Sequence, residues 1–514
     1  MSSSSAKSPL DALPRTTRRE LLKRFGAMGL AGSTAGGLGL NLAAMSQASA
    51  AVGSSYRALV CVFLYGGNDA YNTVLATDSA SWANYATARS ASNNALVLGA
   101  AGTPADPTST AVHTRLGGVL PITPAHAQGR TLALHPAMTE VAALFNKGRA
   151  GVVANVGPLV APLTKAQYLA GTGQKPVKLF SHNDQQSTWQ SLATEGATAG
   201  WGGRMADQLL SGNGDSMFTA TSIYGNAVWL AGQQARAYQL SQGGAIRIGS
   251  SSGAAFGSTT VQQKLVSLMS SARNNSVLER EYAATVGRSA TAEGTLRNAL
   301  PAMDAGPWGS STNQTTDALL LHANPSTGAM AVNPLAQQLQ AVARMIAARQ
   351  TLGVSRQVFF VGIGGFDTHD TQPDRHALAL ARLSHGLGYF DKALQAMGVD
   401  DGVTTFTASD FGRNLSSNGD GVDHGWGAHH FVMGGAVRGG DVYGTLPVYG
   451  KSSGNGVFDS PDQLSQGALL PSMPVERYAA TMGRWLGLSD AQLLDMLPRL
   501  GNWSAADRTL GFLG

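Results

Sequence analysis

Short segments rich in carboxylates and imidazoles recur along the chain, each beside an apolar run. Four of them read "GGNDAYN", "GGFDTHDTQ", "SDFGRN" and "DHGWGAHH". The side chains in them that can ligate a metal ion include Asp69, Asp367, His369, Asp410 and His424. A mixture of aspartate and histidine suits zinc, manganese or another divalent cation. We therefore expect a metal site built from segments that lie far apart in the sequence.

A fifth polar segment, "FSHNDQQ", places Ser181 directly before His182. A serine at the edge of a metal site can act as a nucleophile, and the neighbouring histidine can contact the substrate. The alternative is that Ser181 only caps the helix that begins in this segment. Arg413 also has two interpretations, since it can hold an anionic ester oxygen or make a structural ion pair.

Other residues of these segments have structural alternatives as well. An aspartate after glycine is a common N-cap, so Asp69 can serve to start a short helix. Asp423 can orient His424 through a hydrogen bond instead of binding an ion. His429 and His430 alternate at the start of a strand, so at most one of them is expected to face the site.

Five near-continuous apolar runs predict buried strands, at residues 56–67, 149–157, 356–365, 402–409 and 429–437. Helical patterns occur at residues 136–148, 334–353, 375–398, 474–488 and 489–500. This alternation predicts an α/β fold with a mostly parallel central sheet and helices on both faces. Ligands of such folds bind beyond the carboxyl ends of the strands, where the polar segments are expected to meet. The region at about 200–330 is expected to form a cap-like insertion.

Charge and cysteine content narrow the class of protein. The whole chain carries a formal net charge of +5, but residues 1–50 contain six basic and two acidic residues, which leaves +1 for residues 51–514. A nucleic-acid-binding protein needs a basic face, so this class is excluded. Cys61 is the only cysteine and lies in an apolar run, where we expect it to be a small buried hydrophobe.

The N-terminal segment has the pattern of an export signal. Arg18 and Arg19 are followed by a weakly apolar run of glycine, alanine and leucine, and then by Ala48, Ser49 and Ala50. This order predicts a twin-arginine signal peptide over residues 1–50. The domain at residues 51–514 would then be periplasmic or secreted, without an integral membrane span. The alternative is an uncleaved membrane anchor.

The motifs together resemble a large bacterial family. The segments that carry the resemblance are "RRELLK", "FLYGGNDAYN", "ALHPAM", "FSHNDQQ", "GWGGR", "GFDTHDTQ", "DFGRN" and "DHGWGAHH". The family is the domain of unknown function numbered fifteen-oh-one, and the resemblance spans nearly the whole of residues 51–514. That family is similar to the alkaline phosphatase and sulfatase superfamily. The resemblance implies an alkaline-phosphatase-like fold. It also implies that the site residues occur along the chain in the superfamily's order, as Asp69, Ser181, Asp367 with His369, Asp410 and His424.

The chain departs from the superfamily pattern at three points. Phe411 follows Asp410 where phosphatases have a histidine and sulfatases an asparagine. His369 lies two residues after Asp367, where phosphatases commonly have a spacing of four. The cysteine motif that sulfatases convert to formylglycine is absent from the sequence. These departures leave open a two-ion site, a one-ion site and an inactive site.

The resemblance implies hydrolysis of a phosphate or sulfate ester. The metal ligands would be Asp69, Asp367, His369, Asp410 and His424, with one or two divalent ions. Zinc is the first expectation, with manganese, magnesium or calcium as alternatives. Ser181 would be the nucleophile, and His182 and Arg413 would stabilise charge on a small anionic ester or a sulfated or phosphorylated glycan. The alternative is an exported binding or structural protein with an inactive site and a protein partner.

Overall fold

The computed structural model describes residues 56–90, 96–249, 253–274, 276–310 and 317–513. The chain divides into two compact units, residues 1–53 and 54–514, and the described residues belong to the second. The predicted signal peptide at residues 1–50 therefore lies outside the described residues. Within the described ranges, no helix combines the length and the apolar character needed to cross a membrane.

The strands of the described part are short at the edges of the fold and long at its centre. They are β1 (Arg57–Leu64), β2 (Val74–Ala76), β3 (Leu120–Ile122), β4 (Leu132–Leu134), β5 (Ala150–Gly157), β6 (Ala220–Ser222), β7 (Tyr238–Ser241), β8 (Gly244–Ala245), β9 (Leu321–Ala323), β10 (Met330–Val332), β11 (Arg356–Ile363), β12 (Val403–Ser409), β13 (Ala428–Met433), β14 (Val442–Tyr443) and β15 (Met473–Pro474). All five predicted strands are present, as β1, β5, β11, β12 and β13.

The α-helices lie mostly between these strands. They are α1 (Ser79–Arg89), α2 (Val112–Leu116), α3 (Thr139–Asn146), α4 (Lys165–Ala170), α5 (His182–Ser191), α6 (Trp201–Leu209), α7 (Thr259–Met269), α8 (Val277–Ala299), α9 (Pro334–Ala347), α10 (Gln372–Ala396), α11 (Val475–Leu486) and α12 (Asp490–Met496). The five predicted helices correspond to α3, α9, α10, α11 and α12, with ends shifted by a few residues.

One large sheet organises the molecule, in the order β14-β5-β13-β12-β1-β11-β6-β7-β8, and β15 also pairs with β5. The pairs of β1 with β11 and with β12 are parallel, as are those of β11 with β6 and of β6 with β7. Strand β13 runs antiparallel to both of its neighbours, β12 and β5. The expectation of a mixed α/β fold with a mostly parallel central sheet is confirmed.

The two faces of the sheet carry separate apolar layers, which explains the continuous apolar strands. Along β1, the even-numbered residues from Ala58 to Leu64 join the layer that contains helices α9 and α10. The odd-numbered residues Leu59, Cys61 and Phe63 join the layer that contains α6 and α11. Cys61 is thus buried in an apolar layer, as expected, and burial raises the pKa of its thiol well above the usual value.

The region expected to be an insertion contributes partly to the main sheet. Strands β6, β7 and β8 extend the sheet beyond β11. Helices α7 and α8 follow β8 and contact each other, and α7 has no buried residue. The part of residues 200–330 that departs from the sheet is therefore the segment after β8.

Candidate metal centre

Three neighbouring strands end together at one edge of the sheet. In the parallel register, Leu64 at the end of β1 pairs with Ile363 of β11 and with Ser409 of β12. The chain leaves β1 through Gly66 and Gly67, which both have positive φ angles, +114° and +86°. A Cβ atom on Gly66 would lie 2.3 Å from the backbone nitrogen of Asp367. Gly66 therefore allows the loops after β1 and β11 to touch, and Gly67, on which a Cβ atom would lie 2.4 Å from the Phe411 ring, allows the same for the loop after β12.

The antiparallel direction of β13 brings a fourth segment to the same edge. His424 precedes β13, and the start of an antiparallel strand lies beside the ends of its parallel neighbours. Residues Arg413 and His424 also form an isolated antiparallel bridge. The fifth segment arrives with helix α5, whose first residue is His182.

Four side chains converge at this edge, and we call them the histidine–aspartate cluster: His182, Asp367, His369 and His424. Each offers one ligand atom, and these atoms all lie within 4.8 Å of one another. The Asp367 Oδ1 atom lies 3.2 Å from His369 Nε2, 3.4 Å from His182 Nε2 and 3.8 Å from His424 Nε2. The Nε2 atoms of His369 and His424 are 2.9 Å apart. The four side chains of the histidine–aspartate cluster can therefore hold a metal ion between them.

The other ring nitrogen of each histidine faces a hydrogen-bond acceptor. His182 Nδ1 lies 2.7 Å from Asp410 Oδ2, His369 Nδ1 lies 3.2 Å from Asp423 Oδ1, and His424 Nδ1 lies 2.7 Å from the carbonyl oxygen of Phe180. A carbonyl or carboxylate oxygen only accepts, so each Nδ1 carries the proton and donates. The Nε2 lone pairs then point into the cluster, as they do in histidines that ligate a metal. Two facing lone pairs at 2.9 Å require a proton or a cation between them.

The charges around the cluster favour a carboxylate that stays ionised. Burial alone would raise the pKa of Asp367, but the hydrogen bond and charge of Arg413 outweigh it and hold the pKa below its usual range. The hydrogen bond to Asp410 raises the pKa of His182, whereas burial lowers the pKa of His424. The cluster therefore contains the ionised carboxylate of Asp367 beside the His182 ring, whose pKa is raised, and the His424 ring, whose pKa is lowered.

Arg413 makes a structural ion pair with Asp367, the second of the two interpretations given in the sequence analysis. Its side chain is 0% exposed. Its guanidinium donates to the carbonyl oxygens of Gly66, Gly67 and Val422 and to Asp367 Oδ1. An ester oxygen cannot reach a side chain that is buried in this way and already donates four hydrogen bonds. The structure therefore makes Arg413 a clamp on the loop after β1 and on Asp367.

Asp410 does not join the cluster but supports it. Its Oδ2 atom accepts from the His182 ring, from Gln186 Nε2 at 2.8 Å and from the Gly66 N–H at 3.2 Å. Residues 182 and 186 are one turn apart on α5, so both reach the same carboxylate. Asp410 Oδ1 is buried and has no hydrogen-bond partner among the described residues. Asp410 therefore orients His182, as Asp423 orients His369, whereas the sequence analysis considered this role only for Asp423 and His424.

Phe411 forms an apolar floor under the cluster. Its ring centroid lies 4.8 Å from that of His182 and 4.6 Å from that of His424. Only 1% of the residue is exposed. Position 411, where the resemblance noted in the sequence analysis would imply another metal ligand, is therefore filled by an aromatic ring that packs against two imidazoles.

Asp69 is committed to a buried ion pair outside the cluster. Its two carboxylate oxygens accept from Arg89 of α1 at 2.7 and 2.8 Å, and both side chains are 0% exposed. It also caps the short helix that starts at Ala70 by accepting from the Tyr71 N–H. Burial would raise the pKa of Asp69, but the charge and hydrogen bonds of Arg89 hold it below the usual range. These contacts therefore agree with the alternative that Asp69 is a structural residue that starts a short helix, and Asp69 does not lie in the cluster.

Ser181 lies at the start of α5, directly before the cluster residue His182. Its hydroxyl does not cap the helix backbone but donates to Asp184 Oδ2 at 3.0 Å. Phe180, the residue before it, has a positive φ of 69°, an uncommon conformation for a bulky side chain. Its carbonyl oxygen accepts from His424, which ties the loop before α5 to the cluster.

Sequence reasoning missed one feature of the site: His182 was expected to contact substrate, whereas it offers a ligand atom to the cluster. At most one of His429 and His430 was expected to face the site, and both are buried in the sheet and lie outside the cluster. Burial lowers the pKa of His429 to about 4 and that of His430 to about 3, so both are neutral structural residues. The helical spacing of His182 and Gln186, which share one face of α5, is the signal that could have linked His182 to Asp410.

The cluster is open to solvent on one side. The side chains of Asp367 and His369 are 50% and 43% exposed, and those of His182 and His424 are 27% and 22% exposed. A small molecule can therefore approach the ligand atoms from the side of Asp367 and His369.

Comparison with solved structures gives a distant likeness. A structure described as "Metabolism of multiple glycosaminoglycans by bacteroides thetaiotaomicron is orchestrated by a versatile core genetic locus" is 10% identical, and the match covers 85% of this chain and 74% of that chain. The TM-score of 0.32 is too low to carry an argument about this chain. No curated protein matches the chain.

A family profile gives a much clearer result. The family described as "Protein of unknown function (DUF1501)" matches residues 56–497, which include the five strands predicted from the sequence and all four residues of the histidine–aspartate cluster. The match covers most of the chain and confirms the family resemblance read from the motifs. The chain belongs to this family.

Proposed function

We propose that this chain is an exported, metal-dependent hydrolase of phosphate or sulfate esters, with phosphorylated or sulfated glycans among its substrates. The observation that carries the proposal is the convergence of the histidine–aspartate cluster at the carboxyl edge of the sheet, open to solvent. Ligands of doubly wound α/β folds bind at this edge. The part of the proposal that concerns export rests on Arg18 and Arg19 in the sequence.

The donor set fits zinc. Tetrahedral zinc with bonds of about 2.0–2.1 Å needs ligand atoms roughly 3.3–3.5 Å apart. Four of the six separations within the cluster, 2.9, 3.2, 3.4 and 3.8 Å, bracket that value, and all six are within 4.8 Å. Three imidazoles and one carboxylate also suit zinc or manganese better than magnesium or calcium, which prefer oxygen ligands.

We infer a single ion. A second ion would need ligands from Asp69, Asp410 or position 411. Asp69 is bonded to Arg89, position 411 is a phenylalanine, and Asp410 is bonded to His182 and Gln186 through Oδ2. Of these candidates only Asp410 Oδ1 is without a partner among the described residues, and one oxygen is too few to hold a second ion.

The residues around the ion divide into two roles. A divalent ion supplies Lewis acidity towards an ester oxygen and lowers the pKa of a nearby hydroxyl or water. Asp410 orients His182, and Arg413 holds Asp367 ionised. Ser181 is the proposed nucleophile because it precedes the ligand His182 and its hydroxyl is oriented by Asp184. Asp410 and Arg413 are therefore positioning residues, and Ser181 is the candidate catalytic residue.

A specific observation also supports the second candidate, a binding protein without hydrolytic activity. Four protein ligands complete a tetrahedral site, as in structural zinc centres, whereas catalytic centres keep one position for water. In addition, Arg413 is too buried to stabilise a substrate anion. This candidate predicts a bound ion but no turnover of any ester.

The test combines metal analysis with ester hydrolysis on the same protein. The wild type should retain one equivalent of zinc or manganese after dialysis and hydrolyse 4-nitrophenyl phosphate or 4-nitrophenyl sulfate. His424→Ala should lose both the ion and the activity. His126→Ala is the matched control, because the His126 side chain is 82% exposed and Asp441 is its only ionic partner among the described residues. Hydrolysis at the wild-type rate by metal-free protein would refute the proposal, and a bound ion without hydrolysis would favour the binding protein.

A further inference from the structure

The positive charge of the domain is concentrated in one segment, which runs from just before β7 to the end of α8. Residues 236–299 contain seven basic and three acidic residues, a net charge of +4. Residues 51–514 as a whole carry +1, so the rest of that range carries −3. An uneven charge distribution of this kind points to a partner of the opposite charge.

Helix α8, the longest element of this segment, is anchored mainly by its second half. Ala292 and Leu296 join the apolar layer that also contains Phe218 and Leu240. Among residues 277–291 of this helix, only one alanine is buried. At 1.5 Å per residue, the first residue of α8 lies about 22 Å along the helix axis from Ala292. Helix α7 contacts α8 and has no buried residue, so the two helices form a hairpin whose outer end is exposed.

The exposed end of this hairpin carries large apolar side chains. We call residues 268–274 and 276–282, which join the end of α7 to the start of α8, the hairpin tip. Val277, Leu278 and Tyr282 in the tip are 70%, 84% and 57% exposed, and Leu268 is also exposed. Single exposed apolar residues are common on protein surfaces, but four of them at one end of a hairpin indicate an interaction surface.

Cations accompany these apolar side chains. Lys264 and Arg273 line one open surface of α7 together with Val261, Leu265 and Leu268. The other residues that line this surface are one threonine and two serines, so it contains no acidic side chain. The surface therefore combines apolar, hydroxyl and cationic side chains.

The acidic residues of the tip already have partners. Glu281 pairs with two arginines outside the tip, and Glu279 accepts from the backbone N–H of Arg273 at 2.6 Å. Within the described ranges, Lys264, Arg273 and Arg280 form no ion pair. These three cations are therefore available to an external anion.

An anionic lipid surface matches both features of the tip. Apolar side chains and a tyrosine enter the headgroup region of a bilayer, and lysine and arginine are attracted to anionic headgroups. A second copy of this chain fits less well, because a two-fold interface places the same patch, with its cations, on both sides. Nucleic acid would pair with the cations but would leave the apolar side chains in water.

We propose that the hairpin tip binds the surface of membranes that contain anionic lipids. Val277, Leu278 and Tyr282 enter the headgroup region, and the three cations contact lipid phosphates. This is attachment at the surface, without a helix that crosses the bilayer. The tip shares no residue with the histidine–aspartate cluster, so the proposal does not depend on the proposed hydrolytic activity.

A fluorescent probe on the tip tests the proposal in the full chain, and it reports on the tip separately from the basic N-terminal segment. Cys61 is 1% exposed, so the cysteine of Leu278→Cys can be labelled selectively with the environment-sensitive dye NBD. We expect the dye emission to shift to shorter wavelength with vesicles of equal parts phosphatidylglycerol and phosphatidylcholine, and not with phosphatidylcholine alone. Leu169→Cys is the matched control, because Leu169 is 69% exposed and lies on α4, and it should show no shift.

Variants of the labelled protein test the two parts of the tip. Lys264→Gln combined with Arg273→Gln should raise the lipid concentration at half-maximal shift on the order of tenfold. Val277→Ser should raise it several-fold, because it removes an apolar side chain from the bilayer. Leu169→Ser should leave it unchanged, and thermal unfolding confirms that each variant is folded.

Three results would overturn the proposal. The first is no shift with the anionic vesicles, and the second is an equal shift with the neutral ones. The third is a shift without vesicles as the protein concentration rises, which would identify a second copy of the chain as the partner. An unchanged titration in the variant that lacks both cations would also overturn the role given to Lys264 and Arg273.

Discussion

Glu476 makes the stability of this protein dependent on pH in a direction that is unusual for a carboxylate. It lies in the first turn of α11, is 1% exposed, and neither of its oxygens accepts a hydrogen bond from another described residue. The nearest cation is Arg499, whose Nη1 atom is 4.0 Å away. Burial raises the pKa of Glu476 from 4.5 to about 7, more than Arg499 lowers it.

The sign and size of the effect follow from this pKa. Because the folded protein holds the proton more tightly than the unfolded chain, stability falls as the pH rises from 4.5 to about 7. One pKa unit corresponds to about 1.4 kcal/mol, so the charged carboxylate costs about 3 kcal/mol of unfolding free energy above pH 7. Glu476→Gln removes the charge. We expect it to be more stable than the wild type by up to about 3 kcal/mol at pH 8 and equally stable at pH 4.5.

The assay is urea unfolding of both proteins at pH values between 4.5 and 8. The quantity of interest is the difference in unfolding free energy between Glu476→Gln and the wild type, since groups common to both cancel. Glu195→Gln is the matched control, because Glu195 is exposed and should give a difference near zero at every pH. A difference for Glu476→Gln that stays constant across the pH range would refute the reasoning.

Three further predictions concern the site and its supports. Asp69→Asn leaves Arg89 charged and unpaired in the core and should lower the unfolding free energy by about 3–5 kcal/mol. Asp490→Asn, which breaks an exposed pair, should change the unfolding free energy by less than about 1 kcal/mol. Equal losses in the two variants would contradict the importance of the buried pair. Asp410→Asn should weaken metal binding about 10–100-fold in a chelator competition, and an unchanged affinity would show that Asp410 does not orient His182. Ser181→Ala should keep the ion but lose ester hydrolysis, and unchanged hydrolysis would exclude Ser181 as the nucleophile.

The central strands could be predicted because their residues are apolar on both faces of the sheet. The same pattern fails to give direction, so it did not reveal that β13 is antiparallel. That direction matters, since it is what brings His424 beside Asp367. Local composition therefore predicts where a strand occurs, whereas the direction of that strand depends on the connections between strands.

The partners of individual carboxylates could not be predicted from local sequence. Asp69 was expected to bind metal because it follows a strand. In the structure it is instead paired with Arg89, which lies 20 residues later, at the end of helix α1. Likewise Asp423 contacts His369, 54 residues away, instead of the adjacent His424. Such pairings depend on loop paths, which spacing alone does not determine. The sequence predicted at which edge of the sheet the site lies, but it did not predict which carboxylates at that edge belong to the cluster.

The most direct test of the account is the metal content and coordination of the wild-type protein. We predict one zinc or manganese ion per chain, with X-ray absorption showing three imidazole nitrogens and one oxygen from protein. His182→Ala should remove one nitrogen from that shell. Two ions per chain, or a shell that is unchanged in His182→Ala, would contradict the assignment of His182, Asp367, His369 and His424 as the metal ligands.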